Sequence, residues 1–164
     1  MLIFVLLGMA VLGHWRAGFG VAWPFYTGAS LLVLVHLFLG DVWVAFRHIR
    51  HQRFTEAQRL LDRTLWPGLL VRRNRAYYYL SQGVLALHRQ DRTLAEGHLR
   101  QALDLGLTHS NDRAIAKLNL AHLAFVRKDF VRSQEWTKAA KAEQPTDLLV
   151  KQELERLSTH FSAN

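Results

Sequence analysis

The chain has no cysteine and only three prolines in 164 residues. The first absence excludes disulfides and thiolate metal sites and fits a reducing compartment. The second excludes a Pro-rich linker, and no low-complexity tail is present. Charge is almost missing from residues 1–46, where only Arg16 and Asp41 carry it. Acid is scarce overall, with 13 Asp and Glu against 21 Lys and Arg and a formal net charge of +8. A Gly-rich phosphate loop and a serine-nucleophile pattern are also lacking, so no catalytic residue and no cofactor are assigned. A length of 164 residues allows one domain plus something small.

What is there divides near residue 46. The opening run MLIFVLLGMAVLG is short for a membrane span, which needs about 20 residues. No basic residue precedes it and no clear small-residue cleavage site follows, which argues against a signal peptide. The second run, Tyr26 to Phe46, contains SLLVLVHLFLG and reaches about 20 residues. Together they predict a two-helix transmembrane hairpin over 1–46. A signal peptide followed by one span is the competing reading. In the connection HWRAGFGVAWPFYTG, Trp15, Phe19, Trp23, Phe25 and Tyr26 suit the headgroup level. Gly18, Gly20 and Pro24 are reasonable turn residues there.

RHIRHQRFTEAQRLL, residues 47–61, follows at once. Arg47, Arg50 and Arg53 are expected to stop the span and face lipid headgroups. Positive charge stays on the cytoplasmic side, so both termini and the body over 47–164 are expected in the cytoplasm, at a bacterial inner membrane. Between Arg47 and Arg75 there are eight arginines and two acids. Nucleic acid would be one use of that charge. Contact with an anionic leaflet, worth about 1 kcal/mol per basic side chain, accounts for it without nucleic acid.

The body repeats itself. A step of 38 takes Leu80 to Leu118, Gly83 to Ala121, Leu87 to Phe125, Asp91 to Asp129, Ala95 to Ser133 and Ala102 to Ala140. The same step backwards takes Leu80, Gly83, Leu87, Arg92, Ala95 and Ala102 to Val42, Ala45, Ile49, Phe54, Ala57 and Thr64. Apolar periodicity predicts helical faces through Phe54, Ala57, Leu60, Leu61 and Leu65, through Leu80, Gly83, Val84 and Leu87, and through Leu94, Ala95, Leu99, Ala102 and Leu103. Gly106 is placed to end a helix, and THSND over 108–112 reads as a polar connection with a cap. TDLLVKQELERL is amphipathic through Leu149, Leu154, Leu157 and Phe161, with Thr146 or Asp147 as its cap.

GVLALHRQDRTLAEGHLRQALDLGL and LAHLAFVRKDFVRSQEWTKAAKAEQP resemble tetratricopeptide repeats, a helix–turn–helix unit of about 34 residues. Gly83 with Ala95 and Ala121 with Ser133 keep the family's twelve-residue gap between small residues, Ala102 and Ala140 match its later alanine, and Pro145 its closing proline. The longer period, Lys117 where a large aromatic is usual, and Leu107 in place of a closing proline depart from the pattern. The resemblance implies an all-α chain: a hairpin followed by a short α-solenoid with a C-terminal capping helix. It also implies a concave groove along the first helix of each unit, lined here by Tyr77, Ser81, Val84, His88, Ile115, Asn119, His122 and Val126. The general layout is similar to the PelE-like components of exopolysaccharide synthesis machines and, in outline, to the HemY-like proteins of the haem pathway.

His48 and His51, three apart, could pair on a metal but read as solvated basic side chains beside the arginines. His14 and His36 fall at different depths for axial haem ligands, so no metal is assigned. Asp41 could reach the headgroups, pair with another membrane subunit, or meet the Met1 amine. Adjacent rings in Tyr77-Tyr78-Tyr79 are about 100° apart, so at least one should point outward. The expected partners are proteins of a membrane complex and membrane lipids, with no nucleic acid or small-molecule substrate. The expected role is a scaffold whose groove holds another protein. The alternatives are an accessory subunit of a membrane enzyme binding through the hairpin, and a basic lipid or nucleic-acid binder.

Overall fold

The computed structural model describes residues 41–162, the segment 23–32, and Gly8, Val11 and Trp15. The chain is all-α, with no strand among the described residues. From residue 42 onward seven α-helices follow in order: α1 (Val42–Arg50), α2 (Phe54–Leu61), α3 (Arg72–His88), α4 (Arg92–Leu105), α5 (Ser110–Val126), α6 (Phe130–Ala142) and α7 (Leu148–Ser162). A 3-10 turn, Pro67–Leu69, lies between α2 and α3.

Most of the expected hairpin lies outside the described residues, including His14, His36 and the centre of the second run at 33–40. Among the described residues no helix is long and apolar enough to cross a membrane. Residues 23–32 are helical, so Trp23 to Tyr26 belong to a helix and not to a turn. The Thr27 hydroxyl donates back to the Pro24 carbonyl at 2.9 Å.

The 38-residue period is written in the backbone. Gln52, Gln90 and Lys128 have φ of 58°, 62° and 63°, and each joins the two helices of a pair. At each joint the next amide donates to the carbonyl five residues back: Arg53 to His48 at 2.9 Å, Asp91 to Ala86 at 2.9 Å, and Asp129 to Ala124 at 3.0 Å. The left-handed residue's own amide donates three back, to Ile49, Leu87 and Phe125, each at 2.9 Å. This closes the orphan carbonyls of the first helix and turns the chain sharply. Asp91 and Asp129 then cap α4 and α6 by accepting from the amides of Leu94 and Arg132. Arg53, at the equivalent place, has no acceptor to offer, and α2 is the shortest of the helices.

Small residues set how closely the pairs approach. Ala45, Gly83 and Ala121 are buried at equivalent places in the first helices, and so are Ala57, Ala95 and Ser133 in the second. The Ser133 hydroxyl donates to the Ala121 carbonyl at 2.8 Å, bridging α5 and α6 directly. The main core collects Val42, Phe46, Tyr77, Leu80, Leu99, Ala102, Leu120 and Leu123 from four helices, α1, α3, α4 and α5. α7 covers the far side of the third pair with Val150, Leu154 and Leu157 against Ala114, Leu118, Ala121 and Ala140.

Three expectations are corrected. Helix α2 ends at Leu61, so Leu65 leaves its face and stands exposed, because Trp66 precedes a proline and is driven out of helical conformation. On α7 the covering face runs through Val150, and Leu149 is exposed. None of the three consecutive tyrosines is exposed, since α1, α2 and α4 pack around α3; Tyr77 is buried and Tyr78 and Tyr79 are half-buried. Gly106, with φ of 88°, ends α4, and Asp147 caps α7 by accepting from Leu149 N–H at 3.0 Å.

Candidate binding face

The eight residues expected to line a groove do not share one surface. In the second pair they are largely consumed by the fold. Tyr77 sits edge-on to Trp43 and Phe46, both rings 5.1 Å away, and its hydroxyl donates to Asp112 at 2.7 Å. Burial above all, then that bond, pushes the Tyr77 hydroxyl up to about 12. Ser81 is fully buried, and its hydroxyl has no hydrogen-bond partner among the described residues. Val84 packs on the cluster of Ala45, Ile49, Ala57 and Leu61. His88 is exposed and stacks on Phe54 at 4.2 Å. Tyr77 and Ser81 are therefore not open to a ligand: Trp43 and Phe46 of α1 and Asp112 of α5 close over Tyr77, and Ser81 is fully buried.

The equivalent positions of the third pair are more open. Ile115 is half-buried beside α7. The Asn119 amide donates to the Ile115 carbonyl at 2.9 Å. Val126 is exposed at the end of α5, and His122 faces a cleft between α5 and α7. This cleft, about 280 Å³, is lined by His122 and Phe125 from α5 and by Glu153, Arg156, Leu157 and Thr159 from α7. Phe125 and Leu157 supply apolar surface, and Arg156 pairs with Glu153 at 3.2 Å on the rim. Such a lining, apolar within and charged at the edge, suits a peptide segment with one or two apolar side chains.

The resemblance to tetratricopeptide repeats pointed to His122, and it held no sign of the α7 half of the cleft. The α7 residues belong to the cap and have no counterpart one period earlier. A second depression of about 360 Å³ lies on the other side of α7, between Pro145 and Leu154, edged by Lys141 and Lys151.

Charged side chains fix the neighbourhood. Glu143 accepts from Arg113 Nε at 2.7 Å and from Lys117 Nζ, tying the end of α6 to α5. The Lys117 bond first, and the Arg113 bond after it, hold the Glu143 carboxyl below its ordinary range. Arg113 also donates to the carbonyls of Leu107 and Thr108, each at 3.0 Å. Glu96 pairs with Arg100 at 2.6 Å and with Arg127, joining α4 to the end of α5.

Arg47, Arg50 and Arg53 are all exposed. The α1 axis rises about 12 Å from Val42 to Arg50 at about 1.5 Å per residue. Arg50 and Arg53 therefore stand at the α1–α2 turn, the end of the stack away from Asp41, where the chain enters. Asp41 is half-buried and makes no side-chain cap bond to α1. No group of three His, Asp or Glu side chains capable of holding a metal occurs among the described residues. No protein-family model matches the chain, and no curated protein or solved structure does.

Proposed function

We propose that the chain is a membrane-anchored adaptor: an apolar two-helix head over 1–46 holds a tetratricopeptide-like body, and the body binds a segment of another protein. The body is placed in the cytoplasm of a bacterial cell at the inner membrane, on the asymmetry of Lys and Arg around the apolar runs. A role within an exopolysaccharide synthase complex follows from the resemblance in layout alone. No catalysis is assigned.

The observation that carries this reading is the cleft between α5 and α7, in which His122 and Phe125 meet Arg156 and Leu157 across two helices. It is built where the repeat ends and the cap begins. A photo-reactive residue at His122 in the full chain, in native membranes, is expected to cross-link one defined protein. Arg156→Glu should cut that yield several-fold, because it reverses the rim charge without touching the buried face of α7. Equal yields from both chains would overturn the cleft as the binding site.

An accessory subunit that binds through its membrane segment is the second reading, favoured by Asp41. Its carboxylate is half-buried at the mouth of α1 and unused as a cap. Under that reading Asp41→Leu, and not Arg156→Glu, should lose the partner.

A further inference from the structure

Four apolar side chains stand exposed within seven residues between α2 and α3: Leu65 at 73%, Trp66 at 59%, Leu69 at 47% and Val71 at 43%. One period later the same places are filled differently. Leu103 is half-buried against the main core and Leu107 is buried, because α4 runs on to Leu105. In the first pair α2 stops at Leu61, and the last turns of a full-length second helix are replaced by an excursion through Pro67. A proline there would clash with the preceding turn of a continuing helix. Apolar positions that pack one period later are here turned outward.

The excursion is held, not loose. Leu70 is buried in the main core. Arg75 donates to the Gly68 carbonyl at 3.4 Å, and the 3-10 turn closes through Leu69 N–H to Trp66 O at 3.0 Å.

Its position is equally specific. Arg73, just after the loop, lies 6.0 Å from the ring centre of Trp43 at the start of α1. Arg72 Nε donates to the Leu105 carbonyl at the end of α4. The loop thus sits at the end of the stack where the chain arrives from its apolar first 40 residues, on the same side as Asp41 and Trp43. Arg63, Arg72 and Arg73, all exposed, flank it. An exposed tryptophan and leucines ringed by guanidinium groups match the boundary of an anionic bilayer: apolar side chains reach the acyl region and cations meet the phosphates.

We propose that the loop over 64–71 is a second membrane contact: Leu65, Trp66 and Leu69 dip into the bilayer interface and Arg63, Arg72 and Arg73 bind anionic headgroups, setting the tilt of the helical body. This extends the membrane reading above, and transfers the lipid-facing role from Arg50 and Arg53 to the arginines at the other end of the stack.

The absence of cysteine makes the test direct. Leu65→Cys and Val131→Cys, each in the full chain, carry a polarity-sensitive nitrobenzoxadiazole label. Val131 is 71% exposed at the start of α6, near the opposite turns. In vesicles of phosphatidylcholine with phosphatidylglycerol, the label at Leu65 should shift to the blue and be several-fold less quenched by aqueous iodide than the label at Val131. Arg63→Glu with Arg73→Glu should remove most of that protection. Equal iodide access at both positions overturns the proposal and leaves the loop to a protein partner. Carbonate extraction of the same vesicles reports on the head separately. A chain released by carbonate whose Leu65 label was protected beforehand keeps the loop contact and loses the anchor; a retained chain with an aqueous Leu65 label does the reverse.

Discussion

The Tyr77 hydroxyl and the Asp112 carboxylate meet at 2.7 Å in a buried site, joining α3 to the first turn of α5 across 35 residues of sequence. Few other polar bonds cross between the second and third pairs. Asp112 also lies where the α5 dipole favours negative charge. Tyr77→Phe keeps the ring between Trp43 and Phe46 and removes only the donor. It should cost about 1.5–3 kcal/mol, the range for a hydrogen bond to a charged group, read from thermal or urea unfolding of the full chain in detergent. Adding Asp112→Ala to Tyr77→Phe should then cost little more, since the carboxylate has lost its partner. Two single costs that simply add would show that the pair is not coupled.

Gly83 and Leu99 bring the two helices of the second pair close together. A methyl group on Gly83 would lie 2.8 Å from Leu99 Cγ and 2.9 Å from its Cδ2. Leu99 is fully buried and cannot swing away. Gly83→Ala should therefore destabilise by about 1 kcal/mol, the overpacking cost exceeding the gain in helix propensity. In a Leu99→Ala background the same change should stabilise by about 1 kcal/mol, because only the propensity gain is left. The reversal of sign, followed by circular dichroism, is the check.

Ser81 buries a hydroxyl without a partner among the described residues. Ser81→Ala should leave stability unchanged or raise it by about 1 kcal/mol. It should also leave partner binding intact, because the side chain is closed to solvent. Weakened binding by this variant would restore Ser81 to the binding face.

Much of the body was legible in the sequence because its geometry is local and recurs. The 38-residue step, the small residues at Gly83, Ala95, Ala121 and Ser133, and the recurrence of Asp91 at Asp129 are each decided within one turn or one helix pair. The departures arise where a residue's environment is set by something outside its own unit. Tyr77 looked like a groove residue by its place in the period, but Trp43 and Asp112, from the units on either side, enclose it. Leu65 continued the apolar face of α2, and the Trp66-Pro67 step removed it. The cleft beside His122 needs Arg156 and Leu157, which come from a helix with no counterpart in the repeat.

The three left-handed turn residues are glutamine or lysine, not glycine. A side chain with a Cβ costs on the order of 1 kcal/mol in that conformation, a cost glycine lacks. Gln90→Gly should then stabilise by roughly 0.5–1 kcal/mol, reduced from the full amount by the greater freedom of glycine in the unfolded chain. Gln82→Gly, eight residues earlier within α3, should lose about 1 kcal/mol. Opposite signs at these two glutamines, measured side by side, would tie the effect to backbone conformation and not to loss of the side chain.

Two groups predict how stability follows pH. His98 is held below its ordinary value of 6.5, first by burial and then by the Arg89 charge, with Asp91 acting in the opposite sense. Its neutral form is the one the fold prefers, so the unfolded chain takes up this proton first. The contribution is whole above pH 6.5 and is lost as pH falls from there toward the lowered folded value. Glu143, held below its ordinary value of 4.5 chiefly by Lys117 and then by Arg113, is preferred ionised. Its contribution is present above pH 4.5 and fades as pH falls through the lower folded value. Unfolding midpoints measured at descending pH should therefore drop in two separate windows. His98→Gln should flatten the upper window and leave the lower one. Glu143→Gln should flatten the lower window and, by weakening the ties to Arg113 and Lys117, cost about 1 kcal/mol at neutral pH. An upper window that survives His98→Gln would assign it to another group, and the half-buried contact of His98 with Tyr79 would then carry no pH dependence of its own.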